Sequence, residues 1–236
     1  DTMKRKTKII CTIGPATDSA PMMEKLIDAG MNVARLNFSH GTEEEHFNRI
    51  QLIRSTAENR HRHIGILADT KGPEIRTGMF VDNQVAFKKG DRVTIVREVI
   101  LGTHERFHIS CPQLFNDIAV GDYLLIDDGK MRLNVEAIRS GEFDAVVQNN
   151  GVIKSKKGVN VPNVKLSMPF ISEKDRNDII FAANNNVDMF ALSFVRRAKD
   201  VNDVRDILKS IGKESIELIA KIENQEGVDN LDEILA

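Results

Sequence analysis

The chain has 236 residues, of which 41% are hydrophobic and 29% are charged, as is usual for a soluble globular protein. Its 33 basic and 35 acidic residues give a formal charge of −2, so the overall charge favours neither nucleic acid nor an acidic membrane as a partner. Only two cysteines are present, which argues against a disulfide framework. The sequence shows no signal-peptide pattern and no apolar run near the roughly 20 residues of a membrane span, and it predicts a cytoplasmic protein.

The first part of the chain alternates between strand and helix patterns. Compact β-branched runs predict strands, and apolar residues at helical spacing predict the helices between them. Proline near the start, glycine at the end and a capping-box pair mark the helix limits. The predicted elements, in chain order, are a strand at 8–13, a helix from about Pro21 to Gly30, a strand at 31–38, a helix behind Thr42 and Glu45, and a strand at 64–68.

The pattern changes at about Gly72, and no convincing helical period is present from there to Ser167. Short β-rich runs alternate with turn signals such as Lys89-Gly90-Asp91, which is typical of a small all-β sandwich or barrel. The predicted strands of this segment are 84–87, 92–96, 123–126, 132–138 and 144–148.

Alternation of strand and helix resumes at Pro169. Because alternating units favour a parallel sheet, and because the strands are apolar throughout, both faces of the sheet are expected to be covered. The sequence thus predicts an α/β fold: a partial (β/α)₈ TIM barrel with about five βα units, interrupted by an inserted all-β, barrel-like domain. The predicted segments are 1–71 (barrel strands one to three), 72–167 (the insert) and 168–236 (barrel strands four and five).

Polar clusters follow strands two to five, and in a β/α barrel the carboxyl ends of the strands build the active site. Lys221 and Glu223 are two apart and face the same side of the strand, which suits a phosphate and Mg²⁺ together. Each cluster has other interpretations: a polar barrel layer, a turn at Asp69-Thr70, an internal Lys221–Glu223 ion pair, or a Schiff-base lysine. The basic turn from Lys154 to Lys157 either reaches a nucleotide phosphate or is solvated surface.

Five segments resemble landmarks of the pyruvate kinase family, bacterial type: 7–15, 31–41, 69–77, 157–162 and 221–227. The resemblance runs along nearly the whole chain in the right order. It implies that the barrel segments form the A domain and that the insert forms the B domain, a mobile lid. It also implies that the chain is the N-terminal portion of a homotetrameric parent enzyme and stops before the barrel can close.

The resemblance also implies a reaction and a role for each candidate residue. The phosphoryl group of phosphoenolpyruvate would pass to ADP, giving pyruvate and ATP in glycolysis, with Mg²⁺ (or Mn²⁺) and K⁺ as cofactors. The implied roles are phosphoryl binding by Arg35 and Arg76, charge neutralisation by Lys221, Mg²⁺ binding by Glu223, K⁺ binding by Asn37, Ser39, Asp69 and the Thr70 carbonyl, and nucleotide contact by His40, Asn37, Arg76 and Lys157.

Three hypotheses remain open from the sequence. The first is a truncated pyruvate kinase, for which we expect little or no turnover by this chain alone. The second is a barrel aldolase that forms a Schiff base at Lys221. The third is a non-catalytic fragment in which only the insert folds independently.

Overall fold

A computed structural model describes residues 5–236, which form two compact units with separate hydrophobic cores. The first unit contains the described residues up to Gly72 together with Phe170–Glu223 and Asn230–Ala236. The second unit contains Pro73–Pro169 and Asn224–Asp229. Within residues 5–236, none of the helices combines the length and the apolar character that a membrane crossing requires.

The chain up to Gly72 confirms the predicted alternation. Gly30 ends the first helix with a left-handed backbone (φ 106°), a conformation that glycine adopts at little cost. Thr42 and Glu45 form the predicted capping box at the start of the second helix. The elements are β1 (Ile10–Thr12), α1 (Ala20–Ala29), β2 (Val33–Asn37), α2 (Glu43–Asn59) and β3 (Gly65–Asp69).

The segment Pro73–Pro169 consists mainly of strands. All five predicted strands are present. Three short additional strands, one 3₁₀ helix and one short α-helix were not predicted. The elements are a 3₁₀ helix (Val81–Asn83), β4 (Gln84–Phe87), β5 (Arg92–Val96), β6 (Arg106–His108), α3 (Leu114–Asp117), β7 (Tyr123–Ile126), β8 (Met131–Arg139), β9 (Glu142–Val147), β10 (Gly151–Lys154) and β11 (Val159–Asn160).

These strands form two sheets within the second unit. A six-stranded sheet has the order β11-β7-β8-β9-β5-β6, and a two-stranded sheet pairs β10 with β4. Fully buried Phe107 and Phe143 are among the largest side chains of the core of this unit.

The last part of the chain returns to alternation. Ser172 caps its first helix by accepting a hydrogen bond from the Asp175 N–H at 3.0 Å. The last two helices are short, and Asn230, which lies between them, donates from Nδ2 to the Arg196 carbonyl at 3.0 Å. The elements are α4 (Glu173–Asn184), β12 (Met189–Leu192), α5 (Ala198–Ser210), β13 (Glu217–Ala220), α6 (Gln225–Asp229) and α7 (Leu231–Leu235).

Five parallel strands form the sheet of the first unit, in the order β1-β2-β3-β12-β13. Phe38, Ile66 and Phe190 belong to the buried apolar core of this unit. Because the strands are parallel, their carboxyl ends lie along one edge. The direct pairing of β3 with β12 brings Asp69 opposite Ala191, although the whole insert separates the two strands in sequence.

Candidate functional site

Asp69, the last residue of β3, is at the centre of a polar cluster at the carboxyl edge of the sheet. It is only 3% exposed. Its carboxylate accepts hydrogen bonds from Arg35 Nε at 2.7 Å and from Lys221 Nζ at 3.1 and 3.2 Å. The hydroxyl of Ser193 lies 3.0 Å from Asp69 Oδ1. One buried carboxylate therefore holds two cationic side chains that come from strands on either side of it.

Backbone pairing fixes the position of each partner. Asn37 lies opposite Asp69 in the β2–β3 register. The Thr70 N–H donates to the Ala191 carbonyl at 3.0 Å, and the Lys221 N–H donates to the Leu192 carbonyl at 3.0 Å. Because these bonds involve only the main chain, the strand ends stay in register whichever side chains they carry.

Arg35 has one terminal nitrogen free to bind an anion. Its Nε is bound to Asp69, and its Nη1 donates to Thr12 Oγ1 at 2.9 Å. Among residues 5–236, no hydrogen bond is made by Nη2, and the side chain is 29% exposed. A guanidinium that is anchored on one side and open on the other is well suited to bind a phosphoryl group.

Oxygen atoms suited to a monovalent cation lie at the ends of β2 and β3. Asn37 Oδ1 accepts a hydrogen bond from the Ser39 N–H at 3.1 Å, and the Thr70 carbonyl accepts one from Ser193 Oγ at 2.6 Å. Together with Asp69 these residues offer an amide, a hydroxyl, a carbonyl and one carboxylate. Hard cations such as K⁺ and Mg²⁺ prefer such all-oxygen ligand sets, so the donor chemistry fits K⁺.

Glu223 contributes a second carboxylate beside Lys221. Its Oε1 accepts a hydrogen bond from the Phe194 N–H at 3.2 Å and lies 3.7 Å from Lys221 Nζ. Phe194 has a φ of 60°, a costly conformation for a bulky residue that is typical of functional sites. The chemistry of the Glu223 carboxylate fits a divalent cation, which prefers oxygen ligands. Residues 5–236 contain no cluster of three or more His, Cys, Asp or Glu able to hold a metal.

His40 is exposed, and a residue that the sequence did not single out holds its backbone. His46 is buried in α2, stacks on Phe38 with 4.1 Å between ring centroids, and places Nε2 2.8 Å from the His40 carbonyl. A carbonyl only accepts, so Nε2 carries the proton of this hydrogen bond. Burial is the main cause that lowers the pKa of His46 below its ordinary 6.5.

The lowered pKa of His46 makes the stability of the first unit depend on pH. As the pH falls, the unfolded chain takes up a proton on His46 before the folded chain does. The folded state therefore has its full stability above about pH 6.5 and loses stability as the pH falls below that value. Neighbouring charges on Arg49, Asp178 and Glu45 modulate the shift. We expect the free energy of unfolding to fall by up to about 1.4 kcal/mol per pH unit in this acidic range.

Urea unfolding followed by far-UV circular dichroism measures this effect, because the helices of ten or more residues, α1, α2, α4 and α5, all belong to the first unit. The control is His46→Gln, which keeps an amide donor near the His40 carbonyl and cannot titrate. The free energy of unfolding of His46→Gln should depend less steeply on pH below about pH 6.5, by up to the contribution of one proton. Identical pH profiles for the two proteins would contradict the assignment.

Arg76 and Lys157 belong to the second unit, where they lie on neighbouring segments. Arg76 donates from Nη1 to the Lys156 carbonyl at 2.8 Å and from Nη2 to Glu74 Oε2 at 2.8 Å. The hydrogen bond to Glu74 raises the pKa of Arg76. Thr77, the residue after Arg76, donates its N–H to the Lys157 carbonyl at 2.8 Å. Backbone pairing therefore holds the segment that carries Arg76 beside the segment that carries Lys157.

Ser193 is a member of the cluster to which the sequence assigned no role. In the sequence it belongs to the cluster at the end of the fourth predicted barrel strand. Its contacts depend on β12 lying next to β3 and on side-chain positions that no local sequence pattern specifies.

A family model and individual known proteins match this chain over nearly its whole length. The family model described as pyruvate kinase, barrel domain, matches residues 4–236. A pyruvate kinase of Geobacillus stearothermophilus is 51% identical over 235 residues, covering 99% of this chain and 40% of that protein. Pyruvate kinases of Staphylococcus haemolyticus and Staphylococcus epidermidis are 51% identical over 233 residues, or 98% of this chain and 40% of each of those proteins.

The chain thus spans about 40% of the length of the curated relatives it matches. The matched family model nevertheless covers all but the first three residues. The cluster around Asp69, at the carboxyl ends of parallel strands, is also where a β/α barrel carries its active site. On this evidence, the chain belongs to the pyruvate kinase family.

Proposed function

We propose that this chain carries part of a pyruvate kinase active site, which transfers the phosphoryl group of phosphoenolpyruvate to ADP and yields pyruvate and ATP in glycolysis. The observation that supports it is the binding of Arg35 and Lys221 to one buried carboxylate, Asp69, at the carboxyl edge of a parallel sheet. Two fixed positive charges side by side are what a transferring phosphoryl group requires.

Each candidate residue takes the role that the family resemblance implies. Arg35 holds the phosphoryl group, Lys221 neutralises the charge on it, and the enolate left behind is protonated to pyruvate. Bound cations add positive charge that the chain does not itself supply. The proposed ligands are Asn37, Ser39, Asp69 and the Thr70 carbonyl for K⁺, Glu223 for Mg²⁺ (or Mn²⁺), and His40, Asn37, Arg76 and Lys157 for the nucleotide.

We further propose that residues 1–71 and 168–236 are the barrel portion and that residues 72–167 are a lid. A lid that excludes water favours transfer to ADP over hydrolysis. The proposed location is the cytoplasm, and the longer enzyme is a homotetramer without nucleic-acid or membrane partners.

The aldolase hypothesis is less well supported by the contacts of Lys221. A Schiff-base lysine must lose its proton to attack a carbonyl. Lys221 Nζ instead lies within 3.2 Å of both Asp69 oxygens and 3.7 Å from Glu223, so its hydrogen bonds are directed at carboxylates and not at an open space for a carbonyl substrate. Borohydride trapping with a carbonyl substrate should therefore leave Lys221 unlabelled.

Phosphoenolpyruvate binding to the chain tests the proposed function. Calorimetric titration in the presence of Mg²⁺ and K⁺ should show binding that Lys221→Met weakens by about tenfold or more, since a charge-assisted hydrogen bond is lost. The matched control is Lys199→Met, which removes an exposed lysine paired with Asp203 on α5 and should leave the affinity unchanged.

A coupled assay of pyruvate formation from phosphoenolpyruvate and ADP extends this test, on protein of verified mass. Turnover that disappears in Lys221→Met would show that the residues present are sufficient for transfer. Binding without turnover would assign the transfer step to a longer chain. Equal phosphoenolpyruvate affinity in wild type and Lys221→Met, or no binding at all, would contradict the proposal.

A further inference from the structure

The Ser193 hydroxyl is in contact with three parts of the site. Ser193 follows β12 directly and is only 4% exposed. Its Oγ lies 2.6 Å from the Thr70 carbonyl, 3.0 Å from Asp69 Oδ1 and 3.1 Å from Lys221 Nζ. Thr70 and Asp69 are proposed cation ligands, and Lys221 is the proposed phosphoryl-neutralising group, so this side chain joins the two functions.

The hydrogen-bond directions follow from the number of protons available. A serine hydroxyl donates one proton and accepts with two lone pairs, whereas a lysine ammonium only donates. Lys221 therefore donates to Ser193 Oγ. The single hydroxyl proton of Ser193 is within reach of two acceptors, the Thr70 carbonyl at 2.6 Å and Asp69 Oδ1 at 3.0 Å, and we assign it to the Thr70 carbonyl because that contact is shorter. The hydroxyl thus orients a carbonyl on one side and an ammonium on the other.

The backbone around Ser193 fixes its position without help from the hydroxyl. The Ser193 N–H donates to Thr70 Oγ1 at 3.2 Å. Gly72 packs so closely that an added Cβ would lie 2.5 Å from the Ser193 carbonyl oxygen and 2.8 Å from its Cβ. Since Thr70 and Lys221 also pair through their main chains with β12, loss of the hydroxyl should leave the sheet intact and alter only the side-chain contacts.

We propose that Ser193 is a positioning residue of this site, which holds the Thr70 carbonyl toward the monovalent cation and the Lys221 ammonium against Asp69. Its link to the cation rests on the proposed function. The contact with Lys221 does not, and it can be tested without any ligand.

The first test is a double-mutant cycle between Ser193→Ala and Lys221→Met, measured by urea unfolding with far-UV circular dichroism. Residues in direct contact couple, whereas independent sites add. We expect the unfolding equilibrium constant to show a coupling of about threefold or more. The cycle of Ser193→Ala with Lys199→Met is the control and should be additive. Additivity in both cycles would overturn the proposal, whether or not the chain binds phosphoenolpyruvate.

The second test measures the binding of thallous ion, as a probe for K⁺, by thallium NMR. Ser193→Ala should weaken binding by about tenfold, as expected for a lost hydrogen bond to a carbonyl ligand. Ser193→Cys keeps the shape but is a weak donor, so it should resemble the alanine variant. Ser155→Ala, which removes a hydroxyl that accepts from the Phe80 N–H in the second unit, should bind as wild type.

The outcomes separate the two proposals. Wild-type affinity in Ser193→Cys would show that only side-chain volume matters, and unchanged affinity in Ser193→Ala would remove the positioning role at the cation. No thallous binding by the wild-type chain would contradict the proposed K⁺ ligands, and the double-mutant cycle would then decide the role of Ser193 alone.

Discussion

Replacing Asp69 with alanine is expected to lower the free energy of unfolding of the first unit by about 3 kcal/mol. The substitution removes the carboxylate that accepts hydrogen bonds from both Arg35 and Lys221. The two positive charges then lie close together with no negative charge between them. Part of that cost is relieved by water, because the two side chains are 29% and 30% exposed. Urea unfolding followed by circular dichroism measures the loss, and binding of thallous ion and phosphoenolpyruvate should disappear with it.

Two other substitutions test the cause of this effect. Asp69→Asn keeps the shape and one acceptor oxygen, so it should destabilise the first unit less than alanine does. Asp203→Ala removes a partly exposed carboxylate of the same unit, which pairs with Lys199 on α5. The free energy of unfolding should fall clearly less for Asp203→Ala, because exposed ion pairs contribute little. Equal losses for Asp69→Ala and Asp203→Ala would refute the central role of Asp69.

Alanine at position 72 is expected to cost the first unit about 3 kcal/mol. Gly72 has a φ of 71°, where a residue with a Cβ is strained by roughly 1–2 kcal/mol. The new methyl group would also lie 2.5 Å from the Ser193 carbonyl oxygen, and overpacking against backbone adds about 1–3 kcal/mol. Since Ser193 has to move, thallous binding should weaken even at temperatures where the variant stays folded.

Gly212→Ala is the matched control for this prediction, because it lies in the same unit. Gly212 has nearly the same backbone, with a φ of 69°, and an added Cβ there meets nothing within 4 Å. It should therefore cost only the backbone strain of about 1–2 kcal/mol and leave thallous binding unchanged. If the free energy of unfolding falls equally in both alanine variants, the close approach of Gly72 to Ser193 does not contribute to the loss in Gly72→Ala.

The sequence predicts much of the fold because its helices carry local start and stop signals. The capping box of Thr42 and Glu45, the Ser172 cap and the left-handed Gly30 each act within a few residues. Short strands such as β6 and β11 have too few residues for a period, and their pairing partners alone define them.

The sequence predicts that the polar clusters after strands two to five share the carboxyl face of a β/α barrel. It does not specify which side chains of those clusters contact one another. Asp69 as the shared partner of Arg35 and Lys221 is a consequence of the strand order β2-β3-β12-β13. The roles of Ser193 and His46 depend on contacts that only the folded chain makes.

The pairing of β3 with β12 has a consequence for how the chain tolerates its insert. The Asp69–Ser193 contact closes a loop of 124 residues, and loop-closure entropy grows only with the logarithm of length. Shortening that loop by about a hundred residues would therefore save only about 1.5 kcal/mol. That is comparable to the net contribution of one hydrogen bond. The first unit can thus accommodate a long insertion between β3 and β12 at an entropic cost that a single contact at the strand ends offsets.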